Sequence, residues 1–167
     1  NLATKFRESF RPFAPICLEE DAPEYFEAVT CSPYMLLVDQ VRADRCTESD
    51  IDRRQADLKE WVNEPRSDVP AITHVDYSAR VQTVDRERSP DLHDVLTEFK
   101  KLTGHGIMVN TSFNVRSEPI VCTPEDAYVC FMRTGIDVLV LDRFVLQKSE
   151  QPEWREEDDW RESFGLD

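Results

Sequence analysis

Residues 107–121, IMVNTSFNVRSEPIV, decide the fold of this chain. The stretch begins with three apolar residues typical of a buried strand, and it then turns polar at Asn110-Thr111-Ser112-Phe113-Asn114. A strand that ends in hydroxyl and amide side chains, with Arg116 just beyond it, is a common way to hold an anion or a nucleotide. In open α/β sheets, ligands bind off the carboxyl ends of the strands. The alternative interpretation is a polar turn that only closes the strand.

On either side of this stretch the sequence predicts a helix. Ser89-Pro90-Asp91 is a helix start, and an apolar stripe continues the helix until Gly104 ends it. Thr123-Pro124-Glu125-Asp126 begins a second helix that Gly135 ends, and the apolar run 137–145 predicts a further strand. The stripe of the first helix consists of Leu92, Val95, Leu96, Phe99 and Leu102.

The first half of the chain consists mainly of predicted strands. Residues 10–18 predict a strand that two prolines interrupt, so we expect an edge strand or a bulged one. A short helix over 21–30 follows, and then a strand over 34–41. Residues 71–84 predict two short strands, AITHV and ARVQTV. Together these elements predict a mixed sheet with helices packed on it, an α/β or α+β fold.

The charge and hydropathy of the chain disfavour two classes of partner. A net charge of −14, from 20 basic and 34 acidic residues, argues against nucleic-acid binding, which needs a basic surface. No run approaches the ~18 apolar residues of a membrane helix and no signal-peptide pattern is present, so we expect a cytoplasmic protein without membrane contacts. Residues 149–167 carry eight acids against two arginines. We predict that this tail is loosely ordered or docked through Trp154, Trp160 and Phe164.

The five cysteines predict neither a disulfide framework nor a metal site, because they are scattered and no C-x-x-C pair occurs. Cys122 and Cys130 lie in apolar contexts and are predicted to be core thiols. His74, Asp76 and Ser78 alternate along a predicted strand and would share one face. They do not form a catalytic triad, whose members come from separate elements, and the alternative is metal ligation by His74 and Asp76.

Cationic side chains lie close to several predicted strand ends. Lys5 and Arg7 are two residues apart, so on an extended strand they would face the same side, and Arg80 and Arg116 follow in other segments. Lysine supplies a mobile point charge, whereas arginine supplies a planar fork for phosphate or carboxylate. The alternative is a solvated basic patch on an acidic protein. We expect Lys5, Arg7, Arg80, Ser112 and Asn114 to converge on one concave face.

Three segments together resemble a known family. KFRESFRPFAP at 5–15, THVDYSARVQTV at 73–84 and MVNTSFNVRSEPIV at 108–121 are similar to the carboxyl-terminal region of the O-carbamoyltransferases of nodulation and antibiotic biosynthesis. The tobramycin and cephamycin carbamoyltransferases belong to that family. The resemblance runs from about residue 2 to residue 146. It implies a carbamoyltransferase C-terminal domain of the YrdC-like type over 1–148, with an acidic tail over 149–167.

The resemblance implies a YrdC-like twisted mixed sheet flanked by helices, which follows an N-terminal ASKHA-type domain in the same protein. It implies a Lys-x-Arg pair and a Ser-x-Asn pair that bind ATP and a small carbamoylated group. These pairs correspond to Lys5 with Arg7 and to Ser112 with Asn114. Further contacts to substrate or nucleotide are expected from a second set of residues: His74, Arg80, Asn110, Thr111 and Arg116.

The implied activity is formation of a carbamoyl-adenylate from carbamoyl phosphate and ATP, with transfer to a hydroxyl in the other domain. Mg²⁺ is expected to be held mainly by phosphate oxygens and water, since the sequence offers no metal motif. The alternative is a non-catalytic nucleotide-binding or docking module with the same fold. Two departures concern the pocket: the family usually has glycine at Ser117 and a small residue at Tyr77, so either side chain would narrow the pocket or restrict the backbone.

Overall fold

The computed structural model describes residues 1–48, 51 and 57–155. The chain divides into two compact units. The sheet unit consists of Pro12–Thr111, and the terminal unit combines Asn1–Arg11 with the chain from Ser112 onward. The two units are described separately below.

The sheet unit is built on a four-stranded mixed sheet, which confirms the predicted fold class. Its strands are β1 (Ala14–Leu18), β2 (Leu37–Gln40), β3 (Ser78–Val84) and β4 (Ile107–Asn110), in the order β2-β3-β1-β4. β1 is parallel to β3, while the β1–β4 and β2–β3 pairs are antiparallel. Numbered along the chain, the helices are α1 (Leu2–Lys5), α2 (Ala22–Tyr25), α3 (Leu58–Asn63), α4 (Pro90–Thr103) and α5 (Pro124–Arg133).

Hydrophobic clusters cover the two faces of the sheet. On one face α4 packs against β1 and β4 through Leu96, which is fully buried with Ile16, Leu18 and Val84. A larger cluster around Tyr25 covers the other face. It includes Cys17, Phe26, Val41, Ala79, Val81 and Ile107. Successive strand residues point to opposite faces, so the alternation of the two clusters fixes the register of β1, β3 and β4.

The bounds of α4 agree with the prediction, but its apolar stripe does not. Pro90 occupies the first turn, and Gly104 ends the helix in the left-handed conformation at φ 82°. Only Leu96 of the stripe is fully buried, and Phe99 is half-buried. The remaining stripe residues are exposed, while α4 packs mainly against β1 and β4. They are Leu92, Val95 and Leu102.

Three other predictions for this unit were wrong. β1 is a central strand, not an edge strand. It tolerates Pro15 because that residue precedes Ile16, the first residue of β1 that pairs with β3. The helix predicted to end near Thr30 ends at Tyr25. The predicted strand 71–75 is a series of turns, and only the second of the two short strands forms, as β3.

The terminal unit contains α1, α5 and a hairpin of β5 (Val138–Leu141) and β6 (Phe144–Gln147). α5 begins with the predicted cap: the Thr123 side chain accepts from the Asp126 N–H, and the Asp126 carboxylate accepts from the Thr123 N–H. The single strand predicted over 137–145 was wrong. The chain reverses at Asp142, which takes φ 53° and so allows a tight turn without glycine.

The prediction of an extended strand through Lys5 and Arg7 was also wrong. Lys5 is the last residue of α1, and Phe6 adopts a left-handed conformation with φ 49°. Such a residue ends a helix and redirects the chain. The two-residue spacing of Lys5 and Arg7 therefore does not place their side chains on one side, as an extended strand would.

At the other end of the terminal unit, Trp154 packs edge-on against Tyr128 with ring centroids 6.1 Å apart. Trp160 and Phe164, the other predicted docking residues, lie outside the described residues, and the division of the chain at residue 148 stays a prediction. No helix in the described part of the chain combines the length and the apolar character needed to cross a bilayer.

Candidate functional site

A buried lysine organises the polar loop of the terminal unit. The side chain of Lys5, which is 5% exposed, extends into the loop formed by residues 112–114. Its ammonium group donates to the main-chain oxygens of Ser112, at 2.7 Å, and Asn114, at 2.6 Å. It also lies 2.8 Å from Asn114 Oδ1 and 3.3 Å from Ser112 Oγ. Lys5 therefore holds both residues of the predicted Ser-x-Asn pair.

The loop carries further bonds that fix its shape. The Ser112 hydroxyl donates to Asn114 Oδ1 at 2.6 Å, and Asn114 Nδ2 donates to the Glu118 carbonyl at 2.8 Å. The Arg116 N–H donates back to the Lys5 carbonyl at 3.1 Å. Three of the residues named by the resemblance thus form one connected cluster, although Lys5 and Ser112 are 107 positions apart.

The charge of Lys5 is not neutralised by its surroundings. Every hydrogen-bond acceptor around its ammonium is a neutral oxygen, and no acidic group among the described residues pairs with it. Burial, and then the nearby Arg7, lower the pKa of Lys5. A buried charge without a counter-ion is costly, so such an arrangement is typical of a site that receives an anion.

The backbone of the same loop supplies donors. The carbonyls of Ser112 and Asn114 bind Lys5, whereas the N–H groups of Ser112, Phe113 and Asn114 have no acceptor within the described part of the chain. Successive N–H groups without partners form an anion-binding concavity in many phosphate sites. The cluster combines a fixed positive charge with neutral donors, which suits a phosphate or a carboxylate.

The other two cations of the terminal unit that were predicted to bind substrate, Arg7 and Arg116, differ in their partners. Arg7 Nε donates to Asn1 Oδ1 at 2.7 Å, and burial, followed by the charge of Arg11, lowers the pKa of Arg7. Arg116 lies 3.4 Å from Glu8 in a partly exposed ion pair. A bound anion would therefore compete with Glu8 for Arg116.

A separate groove of about 980 Å³ lies beside α5 and the hairpin in the terminal unit. Its lining is apolar, with Tyr128 and Phe144 among its large side chains, and its charged members are the acids Glu125 and Asp142. Acidic groups on an apolar surface repel phosphate, so the Lys5 cluster is the better candidate for an anion site.

In the sheet unit, the remaining predicted binding residues gather at one end of the sheet. β1 and β3 are parallel and β4 runs against them, so the starts of β1 and β3 lie beside the end of β4. Arg80 is the third residue of β3 and is exposed, His74 shortly precedes that strand, and Asn110-Thr111 ends β4. The topology therefore places all four residues at the same end.

His74 belongs to a short hydrogen-bonded turn, and not to a strand on which it alternates with Asp76 and Ser78. Its Nδ1 lies 3.0 Å from the Ser78 hydroxyl, which in turn donates to Asp76 Oδ1 at 2.6 Å. The bonds from the Ser78 hydroxyl and N–H lower the pKa of Asp76. Among the described residues no group of three or more potential metal ligands occurs.

A second chain of hydrogen bonds fixes Asn110. Gln82 Nε2 donates to the Pro33 carbonyl at 3.0 Å, and Asn110 Nδ2 donates to Gln82 Oε1 at 2.5 Å. Sequence reasoning missed Gln82, although one signal was present: Gln82 alternates with Arg80 in β3 and so shares its face.

Both departures from the expected family pattern occupy left-handed backbone positions. Tyr77 has φ 63° and Ser117 has φ 67°. Side chains other than glycine are disfavoured there because Cβ approaches the following carbonyl oxygen. Of the two effects expected from these side chains, restriction of the backbone therefore applies at both positions.

Of the two predicted core thiols, one is buried and the other is exposed. Cys130 is buried in the terminal unit as expected, and burial raises its pKa. Cys122 is exposed, so its assignment as a core thiol was wrong. It directly precedes the cap of α5, where the chain comes to the surface. In the sheet unit, burial raises the pKa of Cys17 to about 12, which leaves that thiol protonated and unreactive.

Comparison with known sequences places these clusters in a family. The sequence model described as carbamoyltransferase C-terminus matches residues 1–148. The chain belongs to this family. A match of that length includes every candidate site residue named above, and residues 149–167 lie beyond it.

Relatives of the family occur in distant organisms. Protein sll1178 of Synechocystis is 54% identical over 167 residues, all of this chain and 27% of the relative. Nodulation protein NolO of Bradyrhizobium diazoefficiens is 41% identical over 152 residues, 89% of this chain and 24% of the relative. Protein MJ1058 of Methanocaldococcus jannaschii is 30% identical over 148 residues, 89% of this chain and 21% of the relative. The chain thus spans about a quarter of the length of these relatives.

Proposed function

We infer that this chain is the ATP- and carbamoyl-phosphate-binding domain of a carbamoyltransferase, and that it forms a carbamoyl-adenylate. Transfer of the carbamoyl group to a hydroxyl acceptor is assigned to an N-terminal ASKHA-type domain of the same cytoplasmic protein. The proposal rests on membership of the carbamoyltransferase C-terminus family, and on one structural observation above all. That observation is the buried ammonium of Lys5, whose hydrogen-bond acceptors among the described residues are all neutral oxygens.

The cluster suits the charge of the proposed substrates. ATP and carbamoyl phosphate bring several negative charges together, and these must be stabilised before they can react. Lys5 supplies a charge that no acid among the described residues cancels, and the 112–114 loop supplies N–H donors. Arg7 is the second cation of the Lys-x-Arg pair, and its fork can bind two phosphate oxygens at once.

The proposed reaction needs no protein nucleophile. Water first hydrolyses carbamoyl phosphate at the bond between the carbamoyl oxygen and phosphorus, which releases inorganic phosphate and leaves carbamate. A carbamate oxygen then attacks the α-phosphorus of ATP. The bond from that phosphorus to pyrophosphate breaks, which leaves carbamoyl-adenylate. Displacement of this kind depends on positioning and charge stabilisation, and the fixed loop and the two cations provide both.

Mg²⁺ fits the proposal only as an ion held by the substrates. The described residues contain no cluster of three acidic, histidine or cysteine ligands, so phosphate oxygens and water would complete its coordination. When bound, it would neutralise phosphate charge beside the cations of the protein.

Calorimetric titration tests the binding part of the proposal. ATP should bind the wild-type chain, and carbamoyl phosphate should bind with or without ATP. Lys5→Gln should abolish both signals, because it removes the uncompensated charge. The matched control is Lys148→Gln, which removes another lysine bound to main-chain oxygens, those of Phe131 and Thr134, and should leave both affinities unchanged.

Exchange of labelled pyrophosphate into ATP tests the chemistry. Exchange that depends on carbamoyl phosphate would support adenylate formation, because only that step releases pyrophosphate. ATP binding without exchange would favour a nucleotide-binding module. Absence of ATP binding in the wild type would overturn the proposal.

A further inference from the structure

The hydrogen bonds of the His74 turn determine which ring nitrogen carries the proton. Asp76 can only accept, and the hydroxyl of Ser78 has a single proton, which goes to Asp76 at 2.6 Å. The hydroxyl oxygen can therefore only accept from His74 Nδ1, 3.0 Å away. The turn requires a proton on Nδ1, and the neutral ring then presents Nε2 as an acceptor. Within the described part of the chain Nε2 has no partner.

The hydrogen bonds around Asn110 also leave one acceptor available, in this case an amide oxygen. The Pro33 carbonyl can only accept, so Gln82 must point its Nε2 there and its Oε1 toward Asn110. Asn110 then has to offer Nδ2, which leaves its Oδ1 on the opposite side of the amide. No other described residue donates to this Oδ1, so it too is an available acceptor.

Both acceptors lie on the same face and at the same end of the sheet as Arg80. Ser78, Arg80 and Gln82 alternate onto one face of β3, since they are two residues apart. His74 contacts the first of these side chains, and Asn110 contacts the third. This end of the sheet therefore combines one exposed cation with two neutral acceptors whose orientation is fixed.

The ligand that matches this combination has N–H groups next to an anion. A carbamoyl group carries two N–H donors, whereas the otherwise similar acetyl group carries a methyl group. Buried or fixed polar groups discriminate strongly against a ligand that leaves them without a partner. An acceptor pair beside a cation thus suits carbamoyl phosphate better than acetyl phosphate.

We propose that His74 Nε2 and Asn110 Oδ1 accept the N–H groups of the carbamoyl substrate and select it over acyl phosphates that lack an N–H. Asp76, Ser78 and Gln82 are positioning residues that hold the two acceptors in this state. The inference rests on the proposed function and adds to it the origin of selectivity for the carbamoyl group.

Paired titrations with carbamoyl phosphate and acetyl phosphate test the selectivity. The two probes carry the same phosphate and differ only at the amide or methyl group. The wild type should prefer carbamoyl phosphate. His74→Phe and Asn110→Leu should each reduce that preference by about 3- to 10-fold, the effect of one neutral hydrogen bond. Affinity for acetyl phosphate should stay within twofold.

Two further variants separate the role of the acceptor from general damage to the fold. His74→Gln can place an amide oxygen near the position of Nε2 and should restore part of the preference. His105→Phe alters an exposed histidine of the same unit and should change neither affinity. If His74→Phe and Asn110→Leu fold and keep the full preference, the inference is wrong while the proposed function survives. If the wild type binds neither phosphate, the proposed function fails and the inference fails with it.

The tautomer of His74 gives a test that needs no ligand. Nitrogen-15 NMR spectra of histidine-labelled protein should show His74 protonated at Nδ1 when neutral. Ser78→Ala should shift that equilibrium without altering the signals of His105. A neutral His74 protonated at Nε2 in the wild type would overturn the assignment of the acceptor.

Discussion

The loop at residues 112–118 and the turn at residues 74–78 have similar composition but opposite polarity. Each is rich in hydroxyl, amide or carboxyl groups, and each includes a non-glycine residue with positive φ, Ser117 or Tyr77. In the loop, a buried ammonium binds the oxygens and leaves N–H groups available. In the turn, the Asp76 carboxylate takes the serine proton and leaves an imidazole nitrogen available.

The difference shows that the charge at the centre of a polar cluster determines what the cluster offers to a ligand. A central cation uses the acceptors around it, so donors remain. A central anion uses donors, so acceptors remain. The loop is thereby suited to phosphate oxygens and the turn to N–H groups, although serine is present in both.

The largest effect is expected from removing the cation of the loop. Lys5→Gln should lower the free energy of unfolding by about 3 kcal/mol, because several oxygens lose their donor. Urea titration of the variant and of Lys148→Gln would compare two lysines that both bind main-chain oxygens. If Lys5→Gln is as stable as wild type and still binds ATP, the loop does not depend on its central charge.

The second test concerns Arg7, the other cation of the Lys-x-Arg pair in the terminal unit. Arg7→Ala should weaken binding of ATP or carbamoyl phosphate by about 1.5–3 kcal/mol, the range for hydrogen bonds to charged groups. Arg143→Ala is the matched control, since this side chain is exposed in the hairpin turn. Calorimetry measures both, and equal losses in the two variants would indicate a general effect of charge.

Ser112→Ala should have a smaller effect than either change of a cation. The hydroxyl makes one strong bond, to Asn114 Oδ1, and that oxygen keeps its contact with Lys5. We expect ATP binding to weaken by ~0.5–1.5 kcal/mol. A loss as large as that of Arg7→Ala, measured in the same titration, would mean that the hydroxyl contacts the nucleotide directly.

The smallest expected effect is a gain in stability. Ser117→Gly should raise the free energy of unfolding by about 0.5–1 kcal/mol, because relief of left-handed strain exceeds the entropy that glycine adds to the unfolded chain. Ser149→Gly, at a position without positive φ, should lower it instead. Thermal melts would compare the two, and destabilisation by both would show that Ser117 makes contacts that outweigh its backbone strain.

Local signals explain which parts of the fold were predictable. α4 agrees with the sequence prediction because Pro90 in its first turn and Gly104 after its last turn mark its ends. α5 agrees because Thr123 and Asp126 form a chemically specific cap within four residues. The hairpin was predicted as one strand because Asp142 makes the turn in place of glycine. The turn at residues 74–78 imitates the alternation of a strand, since its polar side chains bind one another at two- and four-residue spacing.

The candidate site was only partly predictable. The residues alone did not indicate that Lys5 meets the 112–114 loop, and the family resemblance supplied that pairing. No sequence pattern revealed the bonds of Gln82, because they depend on strand register. The convergence of the Lys5 cluster with Arg80 stays a prediction, and mutational coupling between Lys5 and Arg80 in ATP binding would test it.

The discontinuity of the terminal unit has a consequence for the order of folding. Its two parts meet when Lys5 reaches Ser112, and closing a loop of 107 residues costs about 4 kcal/mol of chain entropy. Pairing of Ala14 with Asn110 closes nearly the same loop within the sheet unit. We therefore expect the sheet to form first and the Lys5 cluster last. In pulsed hydrogen exchange, the Arg116 amide, which binds the Lys5 carbonyl, should gain protection after the amides of β4.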